Sequence, residues 1–175
     1  APAIACNGHI FVIQTGEART SVINIINAET ETVATETLSL ARTNLALGTV
    51  GDWVVFAGGN TTDLSDRVDL YNTRTKTWSK AALSVARSFG ACAAIGDKLF
   101  IAGGILKSTA SNRVDIFDSA TGTWDTASLK VPRGMITALK VGNKLVFAGG
   151  GVPNFIYYRA ADVYDVETDT WTSTQ

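Results

Sequence analysis

The sequence contains few of the residues on which most enzyme sites depend. It has one histidine, His9, which falls on a predicted hairpin turn, and two cysteines, Cys6 and Cys92. A catalytic triad with a buried histidine and a metal site with several histidines therefore have no candidate residues. Two cysteines at non-equivalent places provide no disulfide framework, and we expect buried free thiols. We expect no catalytic residue, metal or cofactor in this chain.

The chain also lacks a strong charge of either sign and a long apolar run. Its 15 Lys and Arg residues nearly balance 16 Asp and Glu residues, which gives a formal net charge of -1. This balance argues against a general binder of nucleic acids or anionic membranes. No apolar run approaches the roughly 20 residues of a membrane-spanning helix, so we expect no membrane insertion.

The sequence does contain one unit that is repeated four times. The glycines that close its apolar runs are spaced by 43, 45 and 46 residues, which is within the range of propeller repeats. All of the length variation lies in one loop, which has 6, 8, 9 and 10 residues in the four copies. Runs such as 99–101 are short, rich in β-branched and aromatic residues, and apolar on both faces. They predict strands in sheets that are stacked face to face.

Two kinds of turn separate the predicted strands. Glycine comes first in a two-residue connection, as a type II′ hairpin requires; these pairs are Gly8-His9, Gly51-Asp52, Gly96-Asp97 and Gly142-Asn143. Asn72, Asp118 and Asp165 open the next turn, where a short polar side chain can bond its own backbone. Each repeat is therefore predicted to be a meander of four antiparallel strands, lettered A to D from the inner edge outward. The D-to-A links and the B-to-C loops then share one face.

A double glycine, an aromatic residue and, seven positions after it, a tryptophan occur in register in three repeats. The tryptophans are Trp78, Trp124 and Trp171. This pattern resembles the kelch repeat over the whole chain, with copies at approximately 1–40, 41–85, 86–131 and 132–175. The resemblance implies an all-β fold, a kelch-type β-propeller with four four-stranded antiparallel blades. Because such propellers usually have six or seven blades, the chain is either a four-bladed propeller or part of a larger six- to eight-bladed ring.

The first copy departs from this pattern, with Thr15-Gly16 in place of the glycine pair, Ile26 in place of the aromatic residue and Val33 in place of the tryptophan. Atypical terminal repeats are common in repeat arrays. The chain begins at Ala1 without an initiating methionine, and we expect a processed, trimmed or partial chain.

Features present in every repeat are expected to build blades, because a catalytic site needs one asymmetric constellation. The tryptophans should therefore pack between blades. Asp69, Asp115 and Asp162 repeat on strand C. We expect them to bond to neighbouring loops or to face water.

The repeated arginines Arg42, Arg87 and Arg133 have two interpretations. Each opens an inner strand, so together they are expected to ring the channel mouth, where guanidinium groups suit carboxylate or phosphate. The kelch resemblance then implies contacts with an acidic peptide. In the alternative, each arginine bonds loop carbonyls of the adjacent blade.

The variable loops supply the remaining candidates. The last loop contains Phe155, Tyr157, Tyr158 and Arg159, and such a concentration resembles an interface hot spot. In the alternative, the two tyrosines begin strand C and pack locally. Asn60 begins an Asn-Thr-Thr triplet, a glycosylation acceptor by pattern that also arises by chance. Glycosylation would favour an extracellular over a cytoplasmic location.

The sequence therefore predicts a non-enzymatic protein-interaction scaffold. Its partner would bind the face of the B-to-C loops and the D-to-A links, together with the arginine-lined mouth. Two alternatives remain. The chain is a structural block that joins blade to blade into an oligomer or filament, with a second copy or a companion chain completing the propeller, or a non-catalytic module of a larger kelch-like oxidase or lyase.

Overall fold

The glycine-bounded apolar runs form short strands, as their β-branched and aromatic residues favour. The computed structural model describes residues 2–14, 21–153 and 156–174, and within these ranges it contains strands but no helix. This part of the chain accordingly offers no helix with the length and apolar character needed to cross a membrane.

The structure contains four four-stranded antiparallel sheets, one in each blade. Within each sheet, every strand pairs with the next strand of that blade in chain order. Blade 1 contains β1 (Ala3–Cys6), β2 (His9–Ile13), β3 (Val22–Asn27) and β4 (Val33–Thr37). Blade 2 contains β5 (Ala46–Val50), β6 (Trp53–Ala57), β7 (Arg67–Asn72) and β8 (Thr77–Ala82). Blade 3 contains β9 (Ala91–Ile95), β10 (Lys98–Ala102), β11 (Arg113–Asp118) and β12 (Trp124–Ser128). Blade 4 contains β13 (Thr137–Val141), β14 (Lys144–Ala148), β17 (Ala161–Asp165) and β18 (Thr170–Thr174), with a small hairpin of β15 (Gly151–Val152) and β16 (Ile156–Tyr157) inserted after β14. The predicted four-stranded meanders are confirmed.

The hairpins between strands A and B follow the prediction in three blades and depart from it in blade 1. Gly51 has a positive φ of 56° and Asp52 does not, as a type II′ turn requires. In blade 1 both Asn7 (φ 46°) and Gly8 (φ 73°) are positive, as in a type I′ turn. His9 is therefore the first residue of β2, paired with Cys6, and not a turn residue. Aligning the repeats on glycine alone misplaces this turn by one position.

The turns between strands C and D are Asx turns, as predicted. The side chain of Asn72 accepts hydrogen bonds from the amides of Arg74 and Thr75, both at 3.0 Å. The side chains of Asn27 and Asp118 accept equivalent bonds in their own blades. A threonine pair closes each turn, with Thr75 Oγ1 2.7 Å from Thr77 Oγ1 in blade 2. This pair explains the threonine that recurs at one place in every repeat.

Consecutive blades are stacked, and their strands A lie side by side along the inner edge. β1 contacts β5, β5 contacts β9, and β9 contacts β13. Aromatic residues fill the space between blades: the ring of Trp171 is stacked on Phe147 of its own blade and reaches Phe100 of blade 3, with centroid distances of 5.8 and 6.1 Å. Trp78 donates from Nε1 to Glu36 of blade 1 at 3.3 Å. The expectation that the tryptophans pack between blades is confirmed.

The two terminal blades each have one uncovered face. Val141 on β13 is 61% exposed, whereas its equivalents Val50 and Ile95 are 4% and 5% exposed. On the opposite side of the stack, Ile10 is exposed while its equivalent Val54 is fully buried. No contact of comparable extent joins β1 to β13 in the part of the chain that the structure describes. The four blades therefore form an open arc and not a closed ring.

Glycine at the end of strand B lets the next blade approach closely. Gly103 has a positive φ of 62°, and a Cβ there would overlap the carbonyl oxygen of Arg133. The following amide, that of Gly104, donates to the same carbonyl at 3.0 Å. Gly149 of blade 4 has nearly the same φ, 66°, but among the described residues no atom beyond its chain neighbours lies within 4 Å of its Cβ position.

A comparison of Gly103 and Gly149 distinguishes the cost of backbone strain from the cost of a clash between blades, because both have a positive φ but only Gly103 contacts the next blade closely. We expect Gly103→Ala to lower the free energy of unfolding by about 1–3 kcal/mol more than Gly149→Ala, because only the first forces two blades apart. Urea unfolding followed by tryptophan fluorescence measures the difference. Equal losses in the two variants would contradict the close contact between blades 3 and 4.

Candidate functional site at the loop face

The D-to-A links and the B-to-C loops lie on one face of the blades, called here the loop face. Backbone bridges connect each D-to-A link to the B-to-C loop of the blade that follows it: Thr43 to Asn60, Ser88 to Ile105, and Gly134 to Gly151. The hairpin and Asx turns contact each other on the opposite face. The predicted separation of variable loops from constant turns is confirmed.

The three repeated arginines lie in the interior beneath the loop face. The side chains of Arg42, Arg87 and Arg133 are at most 1% exposed. Arg87 donates from Nη2 to the carbonyl of Ile101 at 2.9 Å and pairs with Asp115 at 2.6 Å. This corrects the expectation of a free guanidinium ring at the channel mouth. The carbonyls belong to the arginine's own blade, which also corrects the alternative in which they belong to the adjacent one.

The repeated aspartates are the partners of these arginines and also reach the preceding blade. Each accepts a hydrogen bond from an amide of the link before its blade: Asp69 from Ser39 at 3.3 Å, Asp115 from Ser84 at 2.9 Å, and Asp162 from Lys130 at 3.0 Å. The expected bond to a neighbouring loop is confirmed. The pairing with arginine has one signal in the sequence, since each of the three arginines is followed by an aspartate at the same place on strand C of its blade.

Burial and hydrogen bonding act in opposite directions on the carboxylate. Burial alone raises the pKa of Asp162, but hydrogen bonds from Ser173, the Lys130 amide and Arg133 outweigh it, so the pKa lies below the usual 3.8. Burial lowers the pKa of Arg42, which the neighbouring Asp69 partly restores. Because arginine remains charged in proteins, these are buried ion pairs at neutral pH.

Two residues after each arginine, the link passes through a left-handed backbone conformation. Asn44, Phe89 and Met135 have φ values of 56°, 54° and 53°, and of these residue types only asparagine is common there. The Phe89 amide donates to the Asn44 carbonyl at 3.0 Å, and the Met135 amide donates to the Phe89 carbonyl at 3.1 Å. These three residues, called here the link row, therefore connect blades 2, 3 and 4 along the loop face.

The link row presents apolar side chains to solvent. Phe89 is 41% exposed and Met135 is 53% exposed, although large apolar side chains are usually buried in a folded domain. Nothing in the sequence singles out the row, because asparagine, phenylalanine and methionine share no chemistry. The only common feature is their offset from the arginine.

The last B-to-C loop folds as the hairpin β15–β16. Tyr157 is 70% exposed, Tyr158 is half-buried and Arg159 is exposed. β17 begins at Ala161, so the two tyrosines do not begin strand C, contrary to the alternative interpretation. Phe155 lies outside the described residues, as does the Thr15-Gly16 pair.

The second and third loops are polar. Asn60 is half-buried, and its Oδ1 accepts a hydrogen bond from Asn44 Nδ2 at 3.3 Å. Its glycosylation stays a prediction. Asp63 of the same loop pairs with Lys107 of the third loop at 2.9 Å, and both side chains are exposed.

The four meanders, their glycine hairpins and their aromatic packing agree with a comparison against protein families. A family model described as the KLHDC2/KLHL20/DRC7 Kelch-repeats domain matches residues 7–175. The chain belongs to this Kelch-repeat family. Kelch-repeat domains commonly mediate protein–protein interactions and are typically non-catalytic scaffolds. A search of curated proteins finds no match.

The remaining reactive groups of this Kelch-repeat chain are dispersed. The described ranges contain no group of three His, Cys, Asp or Glu residues placed to hold a metal ion. Cys6 and Cys92 are free thiols, and burial raises the pKa of Cys92 to about 12. Since the thiolate is the nucleophile, this raised pKa lowers the reactivity of Cys92 at neutral pH, although the side chain is only partly buried.

The buried ion pairs should be essential to the stability of the Kelch repeats. We expect Asp115→Asn to lower the free energy of unfolding by about 3 kcal/mol, because it leaves the Arg87 charge buried without a countercharge. Asp125→Asn, at an exposed position of the same blade, is the matched control and should change it by about 0.5 kcal/mol or less. Urea unfolding measures both values, and similar losses in the two variants would disprove the special role of the pair.

Acid should also weaken the fold through the pair that Asp162 forms with Arg133. The folded-state pKa of Asp162 lies below its usual 3.8, so its contribution to stability is present above that value and is lost as the pH falls through the lower, folded-state pKa. We expect the free energy of unfolding to fall more steeply below about pH 4 in the parent chain than in Asp162→Asn. Thermal unfolding at a series of pH values tests this, and parallel curves would be the contrary result.

Proposed function

We propose that this Kelch-repeat chain is a non-catalytic scaffold that binds a protein or peptide partner on its loop face. The observation that carries the proposal is the link row, where Phe89 and Met135 keep exposed apolar side chains on a left-handed backbone. Such a conformation costs a non-glycine residue on the order of 1–3 kcal/mol. Strain at residues whose side chains add little to the core supports a role outside the fold.

The apolar surface continues from the link row onto the β15–β16 hairpin. Gly134, next to Met135, is bridged to Gly151 of β15, and Tyr157 on β16 is exposed. Aromatic residues in such positions are frequent anchors in protein interfaces. We therefore infer a partner that inserts an apolar anchor at the link row and extends toward Tyr157.

In this proposal the buried arginines position the surface and do not contact the partner. Arg42, Arg87 and Arg133 are neutralised by aspartates and supply no free positive charge. The exposed Arg159, beside the hairpin tyrosines, is the cation that would favour an acidic residue in the partner. A preference for acidic peptides should therefore be weaker than three free arginines would produce.

The link row can be tested without disturbing the backbone. Peptides selected from a random phage library on the immobilised chain are measured by fluorescence anisotropy against the parent chain and Phe89→Asn. We expect Phe89→Asn to weaken binding by about tenfold or more. Its melting temperature should be unchanged or raised, because asparagine favours the left-handed region and already occupies it at Asn44.

Val33→Thr is the matched control, since it removes an exposed apolar side chain at the outer edge of blade 1. It should change peptide affinity by less than about twofold. Selected peptides that bind Phe89→Asn as tightly as the parent chain would contradict the proposed surface, and so would failure to select any peptide.

A second candidate function, assembly from blade to blade, is favoured by the uncovered terminal faces. Val141 of blade 4 and Ile10 of blade 1 are exposed where their equivalents in the inner blades are buried. The blade 4 face of one copy can therefore cover the blade 1 face of another. Such a head-to-tail contact closes into a ring or extends into a filament.

Sedimentation velocity tests this assembly. We expect concentration-dependent oligomers of the parent chain and monomers of Val141→Asp, because a charge on the covered face leaves an unpaired ion in the interface. Ile10→Asp places the same charge on the blade 1 face and should also prevent assembly if the contact is head-to-tail. A parent chain that stays monomeric at about 100 µM, where even a weak micromolar contact would form, excludes this function and leaves peptide binding unaffected.

A further inference from the structure

The blades are separated by clefts on the side of the hairpin and Asx turns, away from the loop face. The cleft between blades 1 and 2 has a volume of about 220 Å³ and is lined by His9 of blade 1 and Lys76 of blade 2. A similar cleft between blades 3 and 4 is lined by Lys98. At the equivalent place between blades 2 and 3, the ring of Trp53 packs edge-on against Phe117, with centroids 5.9 Å apart. The first residue of strand B therefore determines how much of the cleft stays open.

The following blade contributes a ring and a turn residue to each cleft, and these two residues differ between blades in a matched way. In blade 4, Tyr164 donates from its hydroxyl to Asp169 Oδ1 at 2.8 Å. In blade 2, Tyr71 has Lys76 at the place of that aspartate, and both turn residues have the same left-handed backbone, with φ 53° at Asp169 and 55° at Lys76. An acceptor for the tyrosine hydroxyl is thus replaced by a cation.

Lysine has only donors and cannot accept the proton of the Tyr71 hydroxyl. Among the described residues, no side chain forms a hydrogen bond with the Tyr71 hydroxyl. None forms a hydrogen bond or an ion pair with the Lys76 ammonium. In blade 3 the turn residue is Gly122, which has no side-chain acceptor. The ring there is Phe117, which has no hydroxyl that would need one. The blade 1–2 cleft therefore brings together a donor and a cation that both lack a negatively charged acceptor.

The rest of this cleft is suited to an apolar group. Phe11 and Ile25 of blade 1 are buried and form its floor together with the ring of Tyr71. Small-molecule sites commonly combine a mostly apolar wall with a few polar groups that fix orientation. The volume is below that of drug-sized sites, which begin at about 300 Å³, so the site suits a smaller molecule.

We propose that the cleft between blades 1 and 2 binds a small apolar monocarboxylate, whose carboxylate lies between the Tyr71 hydroxyl and the Lys76 ammonium. The carboxylate takes the role that Asp169 has in blade 4, and the apolar body packs on Phe11 and Ile25. This site is separate from the loop face, and its test does not depend on the proposed partner.

One acidic group opposes such a ligand. Glu36 on β4 accepts a hydrogen bond from Trp78 Nε1 at 3.3 Å, and after burial it is the second influence that raises the pKa of Tyr71. Its negative charge should weaken the binding of an anion nearby. Glu36→Gln keeps an acceptor for Trp78 and should therefore strengthen carboxylate binding.

Benzoate is the probe, and the ¹H–¹⁵N NMR spectrum of the full chain is the readout. We expect benzoate to shift amide signals of the Asx turn that contains Lys76 and of the start of β2. Benzamide, which has the same shape without the charge, should bind at least about tenfold more weakly. Inorganic phosphate, an anion without an apolar body, should cause no shift at these amides.

Three variants test whether the Lys76 ammonium and the Tyr71 hydroxyl bind the carboxylate of benzoate. Lys76→Asp should weaken benzoate binding by at least about tenfold, and it should fold normally because Asp169 shows aspartate in the same turn conformation. Lys80→Asp changes the charge equally at an exposed position of β8 and should change affinity by less than about twofold. Tyr71→Phe should weaken binding several-fold while keeping the ring.

The outcomes separate the possibilities. Absence of benzoate shifts, equal binding of benzamide, or equal losses in Lys76→Asp and Lys80→Asp would each overturn the proposal. Circular dichroism of each variant shows whether the fold is retained. Benzoate binding that survives Lys76→Asp would show that the apolar floor alone binds the ring, which also rejects the carboxylate site.

Discussion

The stacking of the blades depends on one repeated interaction, the buried arginine–aspartate pair found in blades 2, 3 and 4. The guanidinium group donates a hydrogen bond to a carbonyl on strand B of its own blade. The carboxylate accepts a hydrogen bond from an amide of the link that precedes the blade. One pair thereby fixes an inner strand, a link and the boundary between two blades. Because the two charges neutralise each other and have further hydrogen-bond partners, they can remain in the interior. The same pair occurs three times, so the backbone of the link that follows each arginine is constant from blade to blade.

This constancy allows the side chains on the loop face to differ. The link row is held by backbone hydrogen bonds between neighbouring blades, and these do not depend on which side chain the residue carries. Asn44, Phe89 and Met135 therefore occupy equivalent places with unrelated side chains. A Kelch-repeat scaffold can change its binding surface at this row without repacking its core. In the proposed function, the buried arginines serve recognition indirectly, by holding the residues that follow them.

Much of the fold could be predicted from the sequence, because strands and turns depend on local residue types repeated in register. Glycine hairpins, Asx turns and tryptophan packing all follow from short patterns of this kind. Arg42, Arg87 and Arg133 could not be placed in this way, because their burial depends on an aspartate on another strand. The left-handed conformation of Phe89 could not be predicted, since phenylalanine rarely adopts it. The predicted position of His9 was wrong by one residue, because asparagine replaces glycine as the first residue of the turn before it.

The open arc has a consequence for how the molecule comes apart. Blades 2 and 3 are each supported on both sides, whereas blades 1 and 4 have a neighbour on one side only. In an array held together by nearest neighbours, stability is greatest in the middle and decreases toward the ends. The terminal sheets should therefore open and exchange their amide hydrogens while the central pair is still intact, so that this chain melts as a gradient and not as a single block.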